Sequence, residues 1–256
     1  MQSLNPIILA AIAGLSTWGI TALGAALVFI LARIKQLPFG AIVGFASGIM
    51  LAASFYSLLL PCAEYARMQG ISPAFPMLGG LLLGFFIMFL LEHYEAKRAK
   101  SIQPGRHSEF RLLFLAITLH NIPEGLAIGV AFGAIMNGGI TELASAVALA
   151  IGIGIQNFPE GIAVALPARR AGYSPLKSFM FGQGSALVEP PFAVFGAVCS
   201  VYIFRTLPFF MAFAAGAMVY ASFELLISCV GKECPVSAVF ASIGFLCMTA
   251  LDTLLS

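Results

Sequence analysis

Charge is what this chain has least of. Only 9% of its 256 residues are Asp, Glu, Lys or Arg, against roughly 25% in an ordinary soluble domain. With 60% of residues apolar and a mean hydropathy of +0.99, that shortage excludes a soluble fold and places the chain in a bilayer. It excludes a disordered chain too, whose signature is low hydrophobicity with high charge. The net charge of +2 leaves no basic surplus for nucleic acid. The five cysteines, Cys62, Cys199, Cys229, Cys234 and Cys247, include no CxxC pair, so they read as reduced, small apolar packing residues. Strict alternation of apolar and polar residues is missing as well, which argues against a transmembrane barrel. Met1 to Pro6 lacks the basic region that precedes a cleaved signal peptide, so the first apolar run reads as a retained span.

What is present is a series of apolar runs carrying most of 26 Gly and 14 Pro, the composition of closely packed, locally broken membrane helices. Runs near 5–32, 39–66, 74–96, 111–135, 142–168, 175–203, 207–230 and 235–255 predict eight spans. Eight spans of ~20 residues or a little more use ~160 to 200 residues, leaving no sizeable domain outside the membrane. Residues 1–256 therefore read as one all-α transmembrane domain. Its longest connection, a loop near 97–110, reads as mobile and solvated.

Lys and Arg are retained on the cytoplasmic side. The odd-numbered connections hold Arg33 and Lys35, then Lys97, Arg98, Lys100, Arg106 and Arg111, then Arg169, Arg170 and Lys177, then Lys232; of thirteen basic residues only Arg67 and Arg205 fall elsewhere. Odd connections are thus predicted inside and both termini outside.

The acids behave differently from the bases. Glu124, Glu160, Glu189, Glu224 and Asp252 fall inside apolar sequence, with no Lys or Arg among them. An ionised carboxylate at the bilayer centre costs at least about 2.5 kcal/mol, so the group needs a counter-charge, and a captured cation would supply it. For any single acid, a protonated and hydrogen-bonded role in holding the bundle together is an equal reading.

A repeated hexapeptide breaks that tie. His120-Asn121-Ile122-Pro123-Glu124-Gly125 returns as Gln156-Asn157-Phe158-Pro159-Glu160-Gly161. In a helix, positions i and i+4 share a face, which sets His120 over Glu124 and Gln156 over Glu160, with Asn121 and Asn157 on the same edge. Each Pro frees the carbonyl four residues earlier, Leu119 and Ile155. Such broken backbone is tolerated at membrane depth where it is buried in protein or lines a wet cavity. At 1.5 Å per residue from the basic span ends, His120 and Glu160 lie ~13 Å deep and Glu189 ~18 Å deep, so they meet near mid-membrane. An imidazole, three carboxylates and amide oxygens at one level suit a borderline divalent ion, Zn²⁺ first, with Cd²⁺, Mn²⁺ or Fe²⁺ next.

The remaining acids sort along the same axis. Glu64 and Asp252 are expected toward the outside, and Glu92, His93 and Glu224 toward the cytoplasm, as candidate pathway residues. Glu64 with Arg67 at i+3 reads better as a surface pair, and Glu92 to Lys100 as a solvated helix end. Glu224 and Asp252 are more evenly balanced.

The HNIPEG and QNFPEG motifs in consecutive spans resemble those of the ZIP (Zrt/Irt-like) family of divalent metal transporters, most nearly its short, GufA-like bacterial branch. The resemblance covers essentially the whole chain. It implies a 3+2+3 arrangement in which spans one to three and six to eight form an inverted repeat around spans four and five. It also implies a first metal position at His120, Glu124, Gln156 and Glu160, helped by Met50, and a second at Asn121, Asn157 and Glu189 with Glu124 and Glu160 bridging. Ser57, two turns outward of Met50, is a weaker candidate on the uptake side. Many members have His where Gln156 stands, and related bacterial members can have Asp where Asn157 stands. Both differences lower ligand strength or charge, and a neutral Asn157 predicts weak or transient occupancy of the second position. The cytoplasmic connection lacks a His-rich tract, which leaves His93 and His107 as isolated imidazoles.

The reading is therefore a multi-pass transporter of the cell inner (plasma) membrane, not an enzyme. It needs no cofactor, moves Zn²⁺ or a similar ion inward as substrate, and has divalent ions and lipid as partners, with a homodimer as a candidate assembly. An intramembrane metal-dependent hydrolase would need an open coordination position and a general base, as HExxH supplies, and no HExxH occurs. A proton-coupled carrier of an organic solute would offer a buried Arg or Lys to an anion or aromatic walls to a cation, and the placing of every Lys and Arg at a span end argues against the first.

Overall fold

The computed structural model describes residues 5–31, 39–102, 106–135, 140–227 and 234–255. These are helical almost throughout, with no strand among them. The first span is α1 (Pro6–Ala26) continued by α2 (Val28–Leu31), and the second is α3 (Phe39–Ala53), a π-helical stretch (Ser54–Leu59) and α4 (Leu60–Met68). Then follow α5 (Ala74–Ile102), α6 (Arg106–Ala134), α7 (Ile140–Arg170), α8 (Pro175–Ser185), α9 (Glu189–Val198), α10 (Ser200–Ile227) and α11 (Cys234–Leu255). The ends carry ordinary signals. Asn5 caps α1 by accepting from Ile7 N–H at 2.9 Å, Ser174 caps α8, and Pro6 and Pro175 occupy first helical positions, where no N–H is missed.

Seven of the predicted spans are single runs long and apolar enough to cross a membrane. The sixth, predicted over 175–203, is instead two short helices, α8 and α9, meeting at Ala186–Val188. Pro190 and Pro191 cannot donate back to Ala186 and Leu187, so the ladder breaks there and restarts with Glu189 in the first turn of α9.

Two other boundaries differ from expectation. The charged stretch read as a mobile connection is helical up to Ile102 and again from Arg106, because Glu, Ala, Lys and Arg are strong helix formers. The seventh span starts at Ser200 rather than near 207, running straight through Pro208. The carbonyl that Pro208 leaves without its helical partner, Phe204 O, accepts from Gln69 Nε2 at 2.5 Å, and Pro208 O itself accepts from Cys62 Sγ at 3.0 Å. A side chain from the neighbouring span thus replaces the lost backbone bond. Cys62, Cys199 and Cys247 are free thiols; Cys229 lies outside the described residues.

Burial ranks the helices. Of an 18-residue apolar stretch within each span, 71% of residues are buried in Leu113–Gly133, against 22% in Ala74–Tyr94 and 17% in Pro235–Leu254, so the fourth span is central while the third and eighth present most of their apolar surface outward. The closest pairings are α3 with α11, α5 with α10, α1 with α7 and α6 with α9. Small residues make these contacts. A Cβ on Gly161 would lie 2.1 Å from Thr21 O, and one on Gly48 would lie 1.9 Å from Ala241 O, so only glycine allows the backbones to approach so closely. An apolar cluster including Met50, Met88, Ile117, Val164, Met218 and Met248 joins the second span to the helices that carry the two motifs.

Candidate metal centre

Helices α6 and α7 pack together and carry the two hexapeptides, each with its Pro inside the helix, Pro123 and Pro159. His120 Nε2 stands 3.1 Å from Glu124 Oε1 on its own helix and 3.1 Å from Glu160 Oε1 on the neighbour. One donor atom from each of His120, Glu124 and Glu160 falls within 4.8 Å of the others. Gln156, which spacing sets over Glu160, donates its amide across the helix pair to Glu124 Oε1. The two motifs therefore interlock crosswise rather than forming two separate stacks.

Glu189 joins from the broken sixth span. Asn157 Nδ2 donates to both of its oxygens, at 2.8 and 2.9 Å, while the buried Thr17 hydroxyl of α1 donates to Gly14 O at 3.1 Å. The position of Glu189 is tightly set. A Cβ on Gly125 would come within 2.7 Å of Glu189 O, and one on Gly14 within 2.9 Å of Pro190 Cα. In the first turn of α9, its carboxylate also faces the positive end of a helix dipole.

All seven of these polar residues, from His120 to Glu189, are buried, and no Lys or Arg is buried among the described residues. Both Glu160 oxygens, Glu124 Oε2, Gln156 Oε1, Asn157 Oδ1 and Asn121 Oδ1 have no hydrogen-bond partner, nor do the two His120 ring nitrogens and Asn121 Nδ2. A buried oxygen with no donor costs about 1 to 3 kcal/mol, more for a charged group. Such a set persists where something else satisfies it, and oxygens with an imidazole nitrogen are the donors a divalent ion accepts.

The other candidates are more dispersed. Met50 is buried within the apolar cluster that contains Ile117 and Val164. Ser57 is half-buried on the π-helical stretch, whose wider turns do not keep the seven-residue stacking on Met50. Ser54 carries the buried face onward instead, with its Oγ donating to Met50 O at 2.7 Å. Glu64 is exposed beside the equally exposed Arg67, and Asp252 is half-buried. Glu92, read as a solvated helix end, is half-buried and accepts from Tyr220 of α10. Glu224 is half-buried one turn beyond Tyr220, and His93 is exposed and stacks on Phe89 with ring centroids 6.3 Å apart. The close-packing role of the two motif glycines was not foreseen. They carried a signal, since small residues mark close helix contacts.

No family model matches the chain. It is 36% identical to the zinc transporter ZIP11 of Homo sapiens over 92% of this chain and 94% of that protein. It is 37% identical to the zinc transporter GufA of Myxococcus xanthus over 78% and 80%, and 33% identical to the zinc transporter ZIPB of Bordetella bronchiseptica over 82% and 69%. Together with the paired Pro-Glu-Gly motifs and the helices able to span a membrane, these similarities show that the chain belongs to the ZIP family of transporters.

Proposed function

We propose that this protein moves divalent cations, Zn²⁺ foremost and Cd²⁺, Fe²⁺ or Mn²⁺ as alternatives, inward across the cell's plasma membrane through the site between α6 and α7. The observation that carries this reading is the set of buried, donorless oxygens around His120. A desolvated divalent ion held by His120, Glu124 and Glu160 satisfies the carboxylate oxygens among them. His120, Glu124 and Glu160 supply charge and nitrogen, while Gln156 Oε1 and the asparagine oxygens supply neutral ligands that keep binding reversible.

The same contacts explain release. When the ion leaves, Gln156 N–H remains on Glu124 and His120 Nε2 remains 3.1 Å from an oxygen of each glutamate, so one carboxylate keeps a donor and both keep the imidazole beside them. A closed, high-affinity cage of structural-zinc type would trap the ion instead. Relatives named as zinc transporters support Zn²⁺ as substrate.

The finer architecture belongs to the same reading. The helix pairings are unchanged when the first, second and third spans are exchanged with the sixth, seventh and eighth, and the fourth with the fifth: α3·α11 becomes α10·α5, and α1·α7 becomes α9·α6. That symmetry supports the 3+2+3 inverted repeat in a single domain, and the distribution of Lys and Arg supports termini on the outer face. Glu64, Ser57 and Asp252 would line the outer approach, with Glu92, His93 and Glu224 on the inner side.

The test is flux into liposomes holding the purified protein and a metal-sensitive dye. Zn²⁺ or Cd²⁺ influx that Glu124→Ala and His120→Ala abolish is expected; unchanged flux in both variants would refute the site.

A further inference from the structure

The chain has one tryptophan, and its place is unusual. Tryptophans of membrane proteins collect at the two interfaces, where the ring meets lipid and the N–H meets water. Trp18 instead lies at the middle of the 26-residue first span, Pro6–Leu31, roughly 18 to 20 Å from each end at 1.5 Å per residue. At that depth the indole N–H depends on a protein acceptor. It donates to Gln183 of α8, to the main-chain oxygen and to the side-chain Oε1, each at 3.1 Å.

The main-chain oxygen is the informative acceptor, because it belongs to the break in the sixth span. In an unbroken helix Gln183 O would accept from Leu187 N–H. Here Leu187 N–H turns to Gly184 O at 3.3 Å, and Glu189 N–H to Ala186 O at 3.0 Å. Gly182 O accepts the Ser185 hydroxyl at 2.8 Å. The end of α8 thus satisfies Gly182 O and Gly184 O from within itself, whereas Gln183 O takes its donor from α1. A carbonyl left without a donor at membrane depth is costly, so Trp18 stabilises the point at which α8 stops.

Helix α1 also holds the far side of the break. Gly14 stands one turn before Trp18 on the same face, and a Cβ there would come within 2.9 Å of Pro190 Cα. Along the chain, Glu189 lies between these two contacts, Gln183 on one side and Pro190 on the other. We infer, on the metal-transport reading above, that Trp18 is a positioning residue, whose N–H pins the end of α8 and, with Gly14, sets where the break presents Glu189 to the ion site. It touches no ion and acts through Glu189. The half-buried ring also packs α1 against α8, a role that another large apolar side chain would keep; the N–H is what bears on the site.

The experiment is Zn²⁺ affinity of the purified full chain, read by competition with a metal-sensitive dye, for wild type, Trp18→Phe, Glu189→Gln and the double variant, with His120→Ala as blank. Trp18→Phe keeps an apolar ring and loses the N–H. It is expected to weaken Zn²⁺ binding roughly fivefold, about what one hydrogen bond is worth. Where residue 189 is already Gln, less than about twofold further weakening is expected, because the two residues act on one path. A role in packing alone would lower the melting temperature and weaken binding by the same factor in both backgrounds, and equal factors would overturn the inference. So would Trp18→Phe that binds within about twofold of wild type. Trp18→Met and Glu189→Asp replace variants that fail to fold or bind too weakly to read. Wild type that binds no Zn²⁺ above the blank and shows no flux would overturn the transport reading itself, and this inference with it.

Discussion

The two hexapeptides share Asn, Pro, Glu and Gly at matching places, yet they do different work. In the first, the leading residue is His120, whose Nε2 stands 3.1 Å from a glutamate of each motif. In the second it is Gln156, which reaches one glutamate only, and that one belongs to the other motif. The asparagines diverge too. Asn157 is committed to Glu189, whereas both amide atoms of Asn121 are buried without a partner. A symmetric backbone thus carries an asymmetric ligand set. The repeated Pro and Glu fix where donors sit, and on the proposed reading the varied first residue sets how strongly an ion is held.

The largest effect should come from comparing the leading residues directly. His120→Ala removes the only imidazole of the site and is expected to abolish Zn²⁺ influx. Gln156→Ala removes a neutral ligand and one hydrogen bond to Glu124, so reduced but measurable influx with raised KM is expected. Equal loss in both variants would break the distinction.

The motif glycines provide the next comparison. An added Cβ would meet Thr21 O at 2.1 Å and Ala25 N at 2.6 Å from Gly161, but Glu189 O at 2.7 Å from Gly125. Both contacts are to backbone, which cannot rotate away as a side chain could. Overpacking of this kind costs about 1 to 3 kcal/mol or more. Gly161→Ala should therefore lower the melting temperature of detergent-purified protein more than Gly125→Ala. Gly125→Ala should in addition depress transport by displacing Glu189. The reverse order of stability would show that the helices adjust more readily at Gly161 than the contact distances imply.

Restoring symmetry should have a moderate effect. Gln156→His gives both motifs an imidazole, a stronger ligand for Zn²⁺ than an amide, and removes the amide that compensates Glu124 when the ion leaves. KM for Zn²⁺ is expected to fall several-fold and maximal rate to fall with it, measured by dye-loaded liposomes across a Zn²⁺ series. A lower KM with undiminished rate would mean that release is not slowed by the stronger ligand.

Much of this was legible in the chain because two strong rules acted alone. Hydropathy marks where helices cross lipid, and a repeated His/Gln-Asn-x-Pro-Glu-Gly stands out against apolar sequence, so His120 and Glu160 could be set at one depth from the sequence alone. What was hidden depended on contacts between distant segments. Gln69 replaces the backbone bond that Pro208 cannot make, and nothing near 208 announces a partner near 69. Spacing along one helix sets Gln156 over Glu160, but the choice of Glu124 as hydrogen-bond partner is made by the packing of α6 against α7. The break before Glu189 was half visible in Pro190 and Pro191, though a pair of prolines alone did not show that the span would restart as a separate helix. Glu92 was misjudged as solvated because Tyr220, its partner, lies far along the chain.

The smallest expected difference separates the asparagines, and its sign is informative. Removing Asn157 strips Glu189 of its donor and leaves a buried carboxylate exposed to the full desolvation penalty, so Asn157→Ala should destabilise the metal-free protein. Asn121 has no partner to lose. Its amide is an unsatisfied buried group whose removal returns about 1 to 3 kcal/mol of desolvation, offset by the small cavity left behind. Asn121→Ala should therefore leave the metal-free melting temperature unchanged or slightly raised, while the extra stabilisation on adding Zn²⁺ shrinks because one oxygen ligand is gone. Melting curves with and without Zn²⁺ separate the two contributions. If Asn121→Ala lowered the metal-free value as much as Asn157→Ala, the first asparagine would have to be holding the helices together, and its donorless amide would no longer count as part of the ion's coordination shell.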